Sequence, residues 1–107
     1  MNKMPLRYFD DNKDFIIKLL CELIRIPTIN PIGTNYEDMV KLIEKKCRSF
    51  GLKTRKIATA KKVLSKFNIK EGSKRINLVC GLDCGAKKTL HINCHYDLLI
   101  LSLALLF

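Results

Sequence analysis

The feature that most constrains this chain is a change of hydrophobic period at Gly51. Before it, apolar residues recur at three-and-four spacing; after it, they alternate. Phe15, Ile16, Leu19, Leu20, Leu23 and Ile24 lie on one face of a segment from about Asn12 to Ile26, leaving Lys18, Glu22 and Arg25 on the other. This predicts a helix capped by Asp11 and stopped at Pro27. After the turn-rich loop Pro27-Thr28-Ile29-Asn30-Pro31-Ile32-Gly33, the run Thr34-Asn35-Tyr36-Glu37 has capping-box spacing. Tyr36, Met39, Val40, Ile43, Cys47 and Phe50 then form one stripe, and Gly51 stands where a helix ends in the left-handed conformation. At helical positions, Cys21 and Cys47 read as small core hydrophobes.

Beyond Gly51 the spacing predicts strands over Leu52–Ala58 and Arg75–Leu82, the latter with Ile76, Leu78, Cys80 and Leu82 on one face. Between them Ala60–Phe67 reads as a short basic helix or turn, and Glu71-Gly72-Ser73 breaks the chain. Asp83-Cys84-Gly85-Ala86 reads as a turn, and Thr89–Asp97 as a third strand. Two helices followed by about three strands make an α/β chain. Its 107 residues suit one domain with a modest core.

Charge is concentrated. From Lys41 to Arg75 there are 13 basic residues against two acids, Glu44 and Glu71, within a chain of net charge +10. Such a segment admits a small basic binding module for nucleic acid or an acidic partner. Only Phe50 and Phe67 interrupt it, and stacking on bases needs more interleaved aromatics; this weighs against nucleic acid and for solvated lysine faces. The five cysteines are odd in number and lack framework spacing, and Met1–Asp14 has no signal-peptide core. Reduced thiols and a cytoplasmic location are expected. Nine of the ten residues Leu98–Phe107 are apolar. Ten residues are half the ~20 a spanning helix needs, so no membrane span is expected. An exposed apolar tail would instead drive self-association, and its removal after Asp97 should improve solubility.

On a third strand, Leu90, Ile92, Cys94 and Tyr96 would face one way and His91, Asn93, His95 and Asp97 the other. An imidazole and a carboxylate two residues apart can cooperate: the histidine ligates a metal while the carboxylate orients its ring and raises its basicity. Cys80, Cys84, His91 and His95 form a second, finger-like set. Its pairs stand closer than in a zinc finger, and the strand alternation sets Cys80 on the face opposite the histidines.

Three stretches, in order, resemble the N-terminal part of the zinc metallopeptidase family of aminoacylases, acetylornithine deacetylases and succinyl-diaminopimelate desuccinylases. They are Leu20-Cys-Glu-Leu-Ile-Arg-Ile-Pro-Thr-Ile-Asn-Pro with Gly33, Phe50-Gly-Leu-Lys-Thr, and Ile76-Asn-Leu-Val-Cys leading into Leu90-His-Ile-Asn-Cys-His-Tyr-Asp. The resemblance covers about residues 12 to 97. It implies an α/β catalytic domain with an inserted dimerisation domain, two zinc ions, and hydrolysis of an amide in N-acyl amino acids or peptides. His95 matches a zinc ligand and Asp97 the acid that orients it, with paired metals polarising the carbonyl and supplying hydroxide. Two positions depart from the pattern: Cys94 stands where the family has Gly, and Leu98-Leu99-Ile100-Leu101 where it continues Val-Val-Pro.

The bridging acidic ligand, the general base and the remaining ligands lie farther along in the family. A catalytic zinc normally needs three protein ligands, and this chain offers one. The expectation is therefore a partial α/β sandwich of a zinc-peptidase catalytic domain: residues 1–97 an incomplete catalytic-domain fragment, residues 98–107 an apolar tail. Alone it should neither hydrolyse amides nor retain zinc. A complementing chain is the partner that would change this.

Overall fold

A computed structural model describes residues 3–30, 33–69 and 74–99. The protein is mixed α/β: helices α1 (Met4–Asp11), α2 (Lys13–Ile24), α3 (Tyr36–Ser49) and α4 (Lys61–Lys66), and strands β1 (Ile29–Asn30), β2 (Lys53–Ala58), β3 (Ile76–Gly81) and β4 (Leu98–Leu99). β2 and β3 pair antiparallel, from Lys53 opposite Gly81 to Ala58 opposite Ile76. β1 and β4 form a separate parallel pair, with Ile29 opposite Leu98. Residues 100–107 of the apolar tail lie outside the described residues, as do 70–73 of the expected chain break.

α3 organises the core. Tyr36, Met39 and Val40 on its inner stripe are buried, and the helix packs on both β3 and β2. Glu37 and Asp38 in its first turn and Lys46 and Arg48 in its last complement the helix dipole. It closes as Gly51 predicts: at φ +80°, the Gly51 amide donates to the Arg48 carbonyl and the Leu52 amide to that of Cys47. β2 follows directly. Asn68, at φ +55°, ends α4 in the same way, with Ile69 donating to the Leu64 carbonyl.

Three expectations need correction. The first expected helix forms as α2, but a further helix, α1, precedes it with Asn12 at the joint; Pro5 favours the first turn of α1. Asn12, not Asp11, is the capping residue, and its side-chain amide and backbone N–H both donate to the Tyr8 carbonyl. At α3 the capping box does not form. The Thr34 hydroxyl donates to the Pro27 carbonyl (3.2 Å), joined there by the Asn35 amide (3.0 Å), while Glu37 pairs with Lys74 (2.7 Å). The Thr34 hydroxyl accepts from the Ile29 amide (3.4 Å) of the loop instead of from the free amides of the helix start.

The third correction concerns Thr89–Asp97, which forms no strand; pairing resumes only at β4. Among the described residues no strand pairs with this segment, and an extended segment without a ladder partner leaves most of its backbone groups to solvent. The expected two faces are lost: Leu90 and Ile92 are 86% and 77% exposed. The Leu82 side chain also leaves the inward face of β3 and is exposed.

Phe9, Phe15, Ile17, Leu20 and Ile24 of α1 and α2 are exposed, an apolar surface that the described core does not cover. Among the described residues no helix is long and apolar enough to cross a membrane.

Candidate functional site

An open cleft of about 480 Å³ lies between the start of β3 and the segment 93–97, lined by Tyr36, Arg75, Ile76, Asn93, His95 and Asp97. Tyr96 builds one wall and is held at three points. Its carbonyl accepts a hydrogen bond from the buried Thr28 hydroxyl (2.9 Å). Its own hydroxyl donates to the Ile76 carbonyl (2.6 Å), and its ring meets Tyr36 edge to face at 5.4 Å. Burial, then the neighbouring Tyr36 and Asp97, push the Tyr96 phenol above its ordinary range, which keeps it a donor. The Arg75 guanidinium lies 4.9 Å over the Tyr36 ring and donates to its hydroxyl (2.8 Å).

His95 and Asp97 flank this fixed residue. The Nδ1 of His95 stands 3.0 Å from Oδ1 of Asp97, with the imidazole largely in solvent and the carboxylate half-buried. Nδ1–H donating to the carboxylate is the tautomer that leaves Nε2 as a lone-pair donor toward solvent. The two residues singled out by spacing are thus brought together, by the anchoring of Tyr96 between them rather than by a strand's pleat.

The Cys80, Cys84, His91, His95 set does not assemble; among the described residues no three His, Cys, Asp or Glu side chains are grouped to hold a metal ion. One imidazole with a carboxylate on its other nitrogen is an oriented ligand, not a zinc site. The donor set does not fit a resident zinc, and no catalytic step through a metal is derived for this chain.

Sequence reasoning missed Tyr36, Arg75 and Tyr96 as site-building residues. Tyr96 was legible only as the residue between His95 and Asp97, and alternation assigned it to the opposite face. The basic segment is also less bare than its composition indicates. Glu44, nearly buried, accepts from Arg48 (2.9 Å), Thr54 (3.0 Å) and Lys56 (3.2 Å). Lys46 pairs with Glu22 (2.8 Å) and Lys74 with Glu37. The Lys56 ammonium, then the Thr54 hydroxyl, hold the Glu44 carboxyl below its ordinary range.

No protein-family model matches the chain, and no curated protein or solved structure matches it.

Proposed function

We propose that these residues are the N-terminal piece of a zinc-dependent amide hydrolase of the aminoacylase and deacetylase or desuccinylase type, acting on N-acyl amino acids or peptides. His95 is one prospective metal ligand, and Asp97 fixes its tautomer. The observation that carries the reading is the 3.0 Å contact between His95 Nδ1 and Asp97 Oδ1, which leaves Nε2 available. The clasp from Thr28 to Tyr96 supports it, because it joins the Pro27-Thr28 loop to the His-x-Asp segment, the two stretches on which the resemblance rests.

The piece is inactive alone and is completed by further polypeptide that supplies the missing ligands. Two features favour a large completing body over a second copy of the chain. Phe9 of α1 and Phe15, Leu20 and Ile24 of α2 leave apolar side chains exposed for such a body to cover. The Ile76 carbonyl at the open edge of β3 is met by a phenol, across a cleft, where a neighbouring strand could donate. The five free thiols favour a cytoplasmic setting.

The test begins with the genomic DNA beyond codon 107. A continued or frameshifted frame encoding the acidic ligands is expected. Its product, combined with this chain, should hydrolyse an N-acyl amino acid with added zinc, and His95→Ala should abolish the turnover. Absence of any such frame, or turnover indifferent to His95→Ala, overturns the reading.

A further inference from the structure

Cys47 on α3 and Cys80 on β3 come from elements packed on each other, and hydrogen bonds between Thr54 of β2 and α3 bring their positions together. Cys80 lies on the inward, half-buried row of β3 with Ile76 and Leu78, and its partner in the ladder is Thr54 of β2. The Thr54 hydroxyl donates to Glu44 (3.0 Å) and accepts from Nε of Arg48 (2.9 Å). Those two residues bracket Cys47 on α3, one turn before it and one residue after. Only Phe50, Gly51 and Leu52 separate the end of α3 from β2, and the Leu52 amide is bound to the Cys47 carbonyl. The last turn of the helix is therefore tied to the strand that pairs with β3. The two thiols are near enough that Cys47, after burial, raises the Cys80 thiol. Cys21, Cys84 and Cys94 are exposed free thiols with no such arrangement.

We propose that Cys47 and Cys80 are a disulfide-forming pair, so that a low-molecular-weight disulfide oxidant staples α3 to β3. The packing of α3 on β3, with Thr54 beside Cys80 bonded on either side of Cys47, brings the two positions together, as a disulfide requires; two distant cysteines cannot be bridged without backbone movement. With oxidised glutathione, the Cys47 thiolate attacks one glutathione sulfur. The glutathione disulfide breaks, one glutathione leaves as thiolate, and Cys47 carries the mixed disulfide. The Cys80 thiol then gives up its proton to solvent and attacks the Cys47 sulfur, expelling the second glutathione. Two protein thiols are oxidised and one glutathione disulfide is reduced to two thiols. The order follows from the surroundings: burial and the Cys47 sulfur push the Cys80 thiol up to about 11, so Cys80 is the poorer first nucleophile. The bond closes the chain from Cys47 to Cys80 into a loop and restricts the unfolded state, which raises the unfolding midpoint.

The experiment uses the full chain incubated with oxidised glutathione, then alkylated and digested without reduction. The expected result is a crosslinked pair of peptides containing Cys47 and Cys80, a loss of two hydrogens, and a higher thermal midpoint reversed by dithiothreitol. The same treatment of a variant with Cys21, Cys84 and Cys94 replaced by Ser should give the same bond. In denaturant the full chain should lose the preference and pair its cysteines statistically. Separate glutathione adducts on Cys47 and Cys80, crosslinks from either to another cysteine in the native protein, or two unreacted thiols each overturn the proposal.

Discussion

The Thr28 hydroxyl donates to the Tyr96 carbonyl at 2.9 Å, joining residues 68 positions apart, and Thr28 is fully buried where it does so. This one bond sets the register of the short parallel pair β1–β4 and holds the residue between His95 and Asp97. Its consequences for stability follow directly.

Thr28→Val keeps shape and burial but leaves the Tyr96 carbonyl without its donor. The expected cost is about 1–3 kcal/mol, the penalty for a buried polar group left unpaired. Tyr96→Phe removes the donor to the Ile76 carbonyl and should cost about 1 kcal/mol. Both changes loosen the same residue, so the double variant should lose less than the sum. Urea unfolding midpoints of the three variants measure this, and strict additivity would show that the clasp and the phenol act independently.

The imidazole of His95 is 84% exposed and, among the described residues, is paired with Asp97 alone. His95→Ala should therefore change folding stability by less than about 0.5 kcal/mol, the usual range for a surface substitution. Zinc should bind this chain weakly and stabilise it little. Calorimetric titration decides the matter: tight stoichiometric zinc with a large rise in midpoint would mean that a ligand set assembles which the grouping of described side chains does not contain.

The acid limb of stability should be carried by carboxylates already in ion pairs. Glu22 and Glu37 are held below their ordinary range chiefly by hydrogen bonds from Lys46 and Lys74, as Glu44 is by Lys56. A carboxyl whose folded pKa is depressed binds fewer protons folded than unfolded. Its stabilisation is present above the unfolded value of about 4.3 and is lost as pH falls through the lower folded one. Denaturant midpoints should thus fall steadily below about pH 4.3, and Glu44→Gln should flatten that fall while lowering the plateau above it. An unchanged slope in Glu44→Gln would place the acid sensitivity elsewhere.

α3, its Gly51 terminus, β2 and β3 were legible because their apolar periods, 3.6 and 2, agree with the packing that α3 and the sheet provide for each other. α1 was not legible, because its Met4, Leu6 and Phe9 face solvent and no core selects their spacing. The alternation from Leu90 to Asp97 was real in the sequence, yet a strand also needs a neighbour's edge, which periodicity does not encode. Thr34 failed as a helix cap for a similar reason. Its hydroxyl accepts from the Ile29 amide and donates to the Pro27 carbonyl, two partners that only the folded loop brings near. The site shows the same division: spacing selected His95 and Asp97, but the long-range contacts of Thr28, Tyr36 and Ile76 with Tyr96 were outside its reach.

Self-association should depend on where the apolar C-terminal run is cut. Leu98 and Leu99 pair with Ile29 and Asn30, so deletion after Asp97 removes β4 and the ladder partner of β1 together with the rest of the run. Deletion after Leu99 keeps that pairing and removes only 100–107, seven of whose eight residues are apolar. The exposed Phe9, Phe15, Leu20 and Ile24 on α1 and α2 give such a run an apolar surface on a neighbouring molecule. The full chain should therefore sediment as oligomers or aggregates, and the chain ending at Leu99 should be the more soluble and the closer to a monomer. The chain ending at Asp97 should share the solubility but unfold at lower denaturant, since β1 has lost its partner. Sedimentation velocity and urea melts of the three lengths at matched concentration separate these effects. A monodisperse full-length monomer, no less soluble than either deletion, would mean that the run is buried within its own molecule and contributes to the core.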